Sequence, residues 1–213
     1  MEVDPDRELL EDLRAGDERA FMELVERYQA AMLRIAATFV PSRSVAEEVV
    51  QEAWLGVVQG IQRFEGRSSF RTWLFRILVN IAKTRGQRER RSVPFSSLGD
   101  VGQSEPAVDP DRFQPPNGEL PGHWVASPDH WELAPEERLL AGETREVVDR
   151  AIGELPPAQA AVIRLRDVLG WSSKDVCNAL DITQTNQRVL LHRARSKVRR
   201  ALERYLTEER VET

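Results

Sequence analysis

The chain has 213 residues, which allows one large domain or two small ones. A hydrophobic share of 41% is enough for packed cores, and a single cysteine, Cys177, excludes an internal disulfide framework. With only three histidines beside that cysteine, a protein-only zinc site is not expected, and no cofactor is expected either. No apolar run approaches the roughly 18 residues needed to cross a bilayer. Residues Met1 to Arg19 are charged throughout, unlike a secretory signal. The expectation is a cytoplasmic protein with no membrane insertion.

In the first third of the chain, Phe21, Leu24, Val25, Tyr28, Met32 and Ile35 follow helical spacing. Pro41 ends that helix, and Ser44 with Glu47 predicts a capping box for the next. That second helix carries Val45, Val49, Val50, Ala53, Trp54, Val57, Val58, Ile61 and Phe64, and Gly66 breaks it. Ser68 or Ser69 is placed to cap a third helix bearing Phe70, Trp73, Leu74, Ile77, Leu78 and Ile81. Strand alternation is absent, so the expectation is a small all-helical domain over residues 1–92.

Residues 93–134 differ in composition. Between Val93 and Leu140 lie eight of the twelve prolines and nine acids against two arginines, a net of −7. Apolar periodicity disappears, which reads as an acidic, Pro-rich linker that is long for a connection inside a domain. Trp124 and Trp131 fall in it, and exposed tryptophans are costly unless they dock on a partner or a flanking domain. His123 and His130 lie there too, and no metal role is expected of them.

From 135 to 213 the pattern is helical again. Pro135 suits a first turn, and Glu136 and Glu137 suit the positive end of a helix that Gly153 stops. Pro156 and Pro157 open another helix, which Gly170 ends. Ser172 with Asp175 is a second capping box, for a short helix to Leu180. A turn at Asp181 and a longer basic helix follow, which is the helix-turn-helix pattern. Asp181 is the residue placed for positive φ, which Asp tolerates better than most. Cys177 reads as a buried small residue. The fold class is therefore all-α, two small helical domains joined by a long linker.

The net charge of −5 conceals two basic stretches. Arg63 to Arg91 has nine basic residues against two acids, and Arg188 to Arg204 has seven against one. Screening acts over about 8–10 Å, so local patches and not the total decide what binds. On the last helix, Asn186, Arg188, His192 and Arg193 are placed for base readout, because the first turns reach base edges and arginine suits guanine, and Arg195 falls on the same basic arc at a spacing of seven from Arg188. The bland alternative is a solvated basic face. In the first stretch, arginines interleave with Phe64, Phe70, Trp73 and Phe75, as in binders of unpaired bases. For Phe70 and Trp73 a core position is the competing reading. No phosphate loop, metalloprotease motif or nucleophile elbow is present, so catalysis is not expected.

Two runs carry a resemblance. The run Ala46-Glu-Glu-Val-Val-Gln-Glu-Ala-Trp54, then Phe64-Glu-Gly-Arg-Ser-Ser-Phe-Arg-Thr-Trp-Leu-Phe-Arg-Ile77 and Asn80, resembles region two of bacterial sigma factors. Leu155-Pro-Pro-Ala, Gly170-Trp-Ser-Ser-Lys-Asp-Val and Val189-Leu-Leu-His-Arg-Ala-Arg195 resemble region four. Both in order, with no region-three domain between them, resemble the extracytoplasmic-function (ECF) group.

The resemblance implies a promoter-specificity subunit without bond chemistry of its own. Glu48, Gln51, Glu52, Trp54 and Val58 would grip the clamp coiled coil of the largest RNA polymerase subunit, unless Trp54 is core. The flap region would be a further polymerase contact. Phe64, Arg67, Ser68, Ser69, Arg76, Asn80 and Lys83 would serve the −10 element, the loop from Phe64 to Ser69 capturing a flipped base. Asn186, Arg188, His192, Arg193 and Arg195 would serve the −35 element. The linker would thread the polymerase cleft, and an anti-sigma factor would be a further partner. Arg76 and Ile77 stand where housekeeping members carry paired aromatic wedges, which implies weaker melting and stricter promoter choice. Asp181 and Thr185 replace two family glycines, which bears on the base contacts. The competing functions are an autonomous helix-turn-helix regulator and an adaptor that binds polymerase without reading DNA.

Overall fold

A computed structural model describes residues 5–92 and 137–212, with side chains over 5–88 and 144–205. The predicted linker, with its tryptophans and histidines, lies outside the described residues. Described elements are helical: α1 (Arg7–Ala15), α2 (Glu18–Ala36), α3 (Arg43–Gly60), α4 (Phe70–Ser92), α5 (Glu137–Gly153), α6 (Pro157–Ile163), α7 (Ser173–Leu180) and α8 (Gln184–Glu212). A 3₁₀ turn spans Ile61–Arg63 and a π-helical turn spans Arg164–Val168. By contacts the chain forms two units, Met1–Ser97 with Arg164–Gln187, and Leu98–Ile163 with Arg188–Thr213.

In the first unit, α2, α3 and α4 pack together and α1 lies on α2. The predicted apolar stripes fill the core: Leu24, Met32, Ile35, Val49, Val50, Phe70, Leu74, Phe75 and Leu78 are almost wholly buried. Tyr28 packs edge-on against both Phe70 and Phe75, tying α2 to α4. Its hydroxyl donates to Asp6, which is fully buried and also ion-paired to Arg27. Burial, then that hydrogen bond and the charge of Asp6, push the Tyr28 phenol well above the usual tyrosine range.

One local expectation shifts. The cap of α3 is Ser42, whose hydroxyl accepts from the Val45 amide at 3.3 Å. Ser44 lies one residue inside the helix and Glu47 pairs with Arg43 at 3.0 Å instead, so the box does not form there. Helix α1 is short and amphipathic, with Leu9, Leu10 and Leu13 at helical spacing and Leu10 buried. Its role is to hold a loop: Arg14 donates to the carbonyls of Ile61 and Phe64, and Gln62 donates to the Arg14 carbonyl at 2.9 Å.

The helix-turn-helix forms as its spacing predicts. Ser172 caps α7, accepting from the Asp175 amide at 3.1 Å, and Asp181 ends α7 at φ 55 and ψ 55. Among the described non-glycine residues it alone has positive φ. Thr183 opens α8, its hydroxyl accepting from the Asn186 amide at 3.2 Å. Ser173 donates to the buried Gln187 at 3.1 Å, joining α7 to the start of α8. Cys177 is half-buried, less enclosed than expected.

Candidate polymerase and promoter surfaces

The outward side of α3 presents Glu48, Gln51, Glu52, Leu55 and Val58 to solvent. Leu55 is 61% and Val58 51% exposed, so an apolar edge lies beside acids and is left open by the described residues. Trp54 is not on that edge. It is 6% exposed, meets Phe21 edge-on at 5.5 Å, and donates its indole N–H to Gln29 at 3.3 Å. Leu55 lies about 100° and Val58 about 40° round the helix from it, so Trp54 stands at the border of the exposed edge and its large ring is retained by the core. Leu55, overlooked in the sequence because it interrupts the apolar spacing, takes the exposed place.

The loop before α4 is similarly divided. Phe64 is buried, stacked on Trp73 at 4.8 Å and edge-on to Phe70 at 6.3 Å. Its ring is held by those aromatic contacts and its carbonyl oxygen accepts from Arg14, so Phe64 anchors the loop. Phe70 is core, and Trp73 is half-buried above it. Gly66 turns the backbone at φ 69. Arg67 reaches into solvent beside Glu65 at 2.5 Å. Ser68 is half-buried, and Ser69 is committed to the start of α4, its hydroxyl accepting from the Thr72 amide at 3.3 Å.

Along α4, Arg76, Asn80 and Lys83 fall on one outer face at helical spacing. Asn80 is exposed. The other two meet α7: Lys83 Nζ donates to the Leu180 carbonyl at 2.8 Å, and Arg76 lies 3.8 Å from the Asp181 carboxylate. Arg71 stands over the Trp171 ring at 4.4 Å, and Phe75 meets that ring at 4.9 Å and 75°. Thr72 donates to Asp175 at 3.2 Å. None of these contacts is visible in spacing, because the partners are about a hundred residues apart.

On α8 the buried side is Gln187, Leu191, Ala194 and Val198. Asn186, Arg188, His192, Arg193 and Arg195 are all exposed on the remaining arc. Val189 is also there, 43% exposed among the basic residues. Among the described residues no cluster of His, Cys, Asp and Glu could hold a metal, and no helix is long and apolar enough to cross a membrane.

Comparisons with known proteins bear on the family and the fold. Residues 24–92 match the model for Sigma-70 region 2, and residues 145–198 match that for Sigma-70, region 4. The chain is 32% identical over 195 residues to the ECF RNA polymerase sigma-E factor of Escherichia coli (strain K12), covering 91% of this chain and 92% of that one. It is 30% identical over 203 residues to the RNA polymerase sigma-H factor of Pseudomonas aeruginosa, covering 95% and 96%. Its fold is similar to CnrH, solved in complex with the cytosolic domain of CnrY, with a TM-score of 0.57 at 21% identity, covering 93% and 97%. It is likewise similar to the sigma factor RpoE of Bartonella quintana, solved with the anti-sigma factor NepR, with a TM-score of 0.55 at 17% identity, covering 86% and 96%. With both sigma regions present in order and relatives matched over nearly their whole length, the chain belongs to the ECF group of RNA polymerase sigma factors.

Proposed function

We propose that this ECF sigma factor binds core RNA polymerase through the outer face of α3 and carries it to promoters with a −10 and a −35 element. The observation that carries the polymerase contact is the uncovered edge of Leu55 and Val58 beside Glu48, Gln51 and Glu52. Acids repel a phosphate backbone and exposed aliphatics gain nothing from it, so a protein partner fits that face and DNA does not. This is what favours a polymerase subunit over an autonomous regulator. The partner on the polymerase is the clamp coiled coil of the largest subunit, with the flap region as a second contact for region four.

Region two is assigned to residues 1–92, the linker to 93–134 and region four to 135–213. In region two, Arg67, Ser68, Arg76, Asn80 and Lys83 meet the −10 element. Phe64 and Ser69 shape the loop that receives the flipped base, and Trp54 supports α3 from the core. In region four, Asn186, Arg188, His192, Arg193 and Arg195 meet the −35 element. The chain performs no bond chemistry. It works in the cytoplasm, where its polymerase is, and an anti-sigma factor that covers these faces would hold it inactive.

Run-off transcription tests the reading. Purified chain, core polymerase from the native host and a promoter library are mixed, and the transcripts are sequenced. Starts downstream of a shared two-element motif, seen only when the chain is added, are expected. No added initiation from an active core, together with sequence-specific duplex binding by the chain alone, would favour the autonomous regulator.

A further inference from the structure

The outward face of α8 has an apolar residue at its centre. The buried residues Gln187, Leu191, Ala194 and Val198 define one stripe. At about 100° per residue, Val189 lies roughly 190° round the helix from the middle of that stripe. It is therefore at the apex of the exposed face, 43% exposed, with Thr185 and His192 a turn to either side and Arg188 and Arg193 flanking it. Packing does not account for a valine there, and neither does phosphate binding, which its basic neighbours serve. The position falls in the first two turns of α8, the part of a recognition helix that reaches base edges.

In the major groove the apolar group offered by the bases is the thymine 5-methyl, and aliphatic side chains are what meet it. A β-branched valine is held in one χ1 rotamer in a helix, so little conformational freedom is lost on contact. From this placement we infer that Val189 is a specificity-determining residue, reading one thymine methyl within the −35 element, between the bases met by Arg188 and His192. The inference rests on the assignment of α8 to that element. It adds a contact that selects by shape and burial to a face otherwise made of hydrogen-bond donors and charge.

The test removes the methyl and nothing else. Holoenzyme is assembled from the full chain and native core, and its affinity is measured on promoter duplexes in which each thymine of the −35 element is replaced in turn by uracil. At one position, and on one strand, the wild-type holoenzyme is expected to lose about fourfold in affinity, the worth of a buried methyl. Val189→Ala holoenzyme is expected to bind the thymine duplex more weakly by a similar factor and to be indifferent to uracil there. Val189→Ile, which keeps the apolar contact, is expected to retain the uracil penalty. A wild type insensitive to uracil at every position, or a Val189→Ala variant with the full wild-type penalty, would overturn the inference. Scrambling the whole −35 element separates the two levels. If scrambling leaves wild-type binding unchanged, the assignment of α8 fails; if scrambling weakens binding but uracil never does, only the role of Val189 fails.

Discussion

Gly86 sits where α4 crosses the end of α2, and a Cβ built there would fall far inside contact distance of the Phe39 carbonyl oxygen. Backbone cannot retreat as a flexible side chain can, so Gly86→Ala is expected to cost about 1–3 kcal/mol in chemical denaturation. A Cβ built at Gly153, the last residue of α5, would meet nothing within 4 Å, and its φ is not positive. Gly153→Ala should instead stabilise by about 0.4–1 kcal/mol, by restricting the unfolded chain. Tyr28 gives a pH signature. Its folded pKa is raised above the unfolded value of about 10 by burial and by Asp6, so its contribution is complete below that value. It is lost as pH rises toward the folded pKa. Urea midpoints across the alkaline range should fall above about pH 10, and Tyr28→Phe should flatten that fall. Neither Gly86 nor the Asp6–Tyr28 pair is legible in the sequence, since each depends on a segment far along the chain.

At the scale of elements, helical period placed α2, α3, α4, α7 and α8 correctly, because each buries one continuous stripe. It failed where a residue lies on the border of a stripe. Trp54 was open between core and interface, and the ring of Phe21 and the amide of Gln29 decided for the core. Gln51 and Glu52 stay on the solvent side of α3. Replacing both with alanine should weaken binding to core polymerase while leaving the thermal melt within a few degrees, since surface changes typically fall within about 0.5 kcal/mol. Unchanged core affinity in a pull-down titration would remove α3 from the interface. The turn between α7 and α8 offers a second check. Asp181 holds a left-handed conformation that costs a side chain free energy, so Asp181→Gly should gain about 0.5–1 kcal/mol despite losing Arg76 as a distant ion partner.

For the molecule as a whole, the contact of α4 with α7 has a functional consequence. Arg76 and Lys83 are the residues proposed to meet the −10 strand, and in this structure they meet Asp181 and the Leu180 carbonyl. If they serve that strand, they cannot hold α7 at the same time, and strand binding would have to displace α7. The exposed Arg76 pair at 3.8 Å contributes little, whereas Trp171, 2% exposed between Arg71 and Phe75, holds the contact. Trp171→Leu keeps an apolar side chain and loses a cation–π and an aromatic contact, about 1–3 kcal/mol together. The free chain should then bind a single-stranded −10 oligonucleotide at least about fivefold more tightly in fluorescence anisotropy. Equal affinity would mean that α7 does not compete for that face.

The sequence by itself determined the helical class, the two basic stretches, the helix-turn-helix with Asp181 at its turn, and the membership of both sigma regions. These depend on local period, on turn chemistry and on short ordered motifs, all of which lie within a few tens of residues. Only the tertiary structure decided that Trp54 and Phe64 are core, that Leu55 and Val189 are exposed, that Arg14 ties α1 to the loop before α4, and that α7 lies on the basic face of α4. Periodicity states that a helix has an apolar side; which residue at the border of that side is covered depends on what packs against it. That covering is supplied by segments from about twenty to a hundred residues away, whose approach leaves no mark in local spacing.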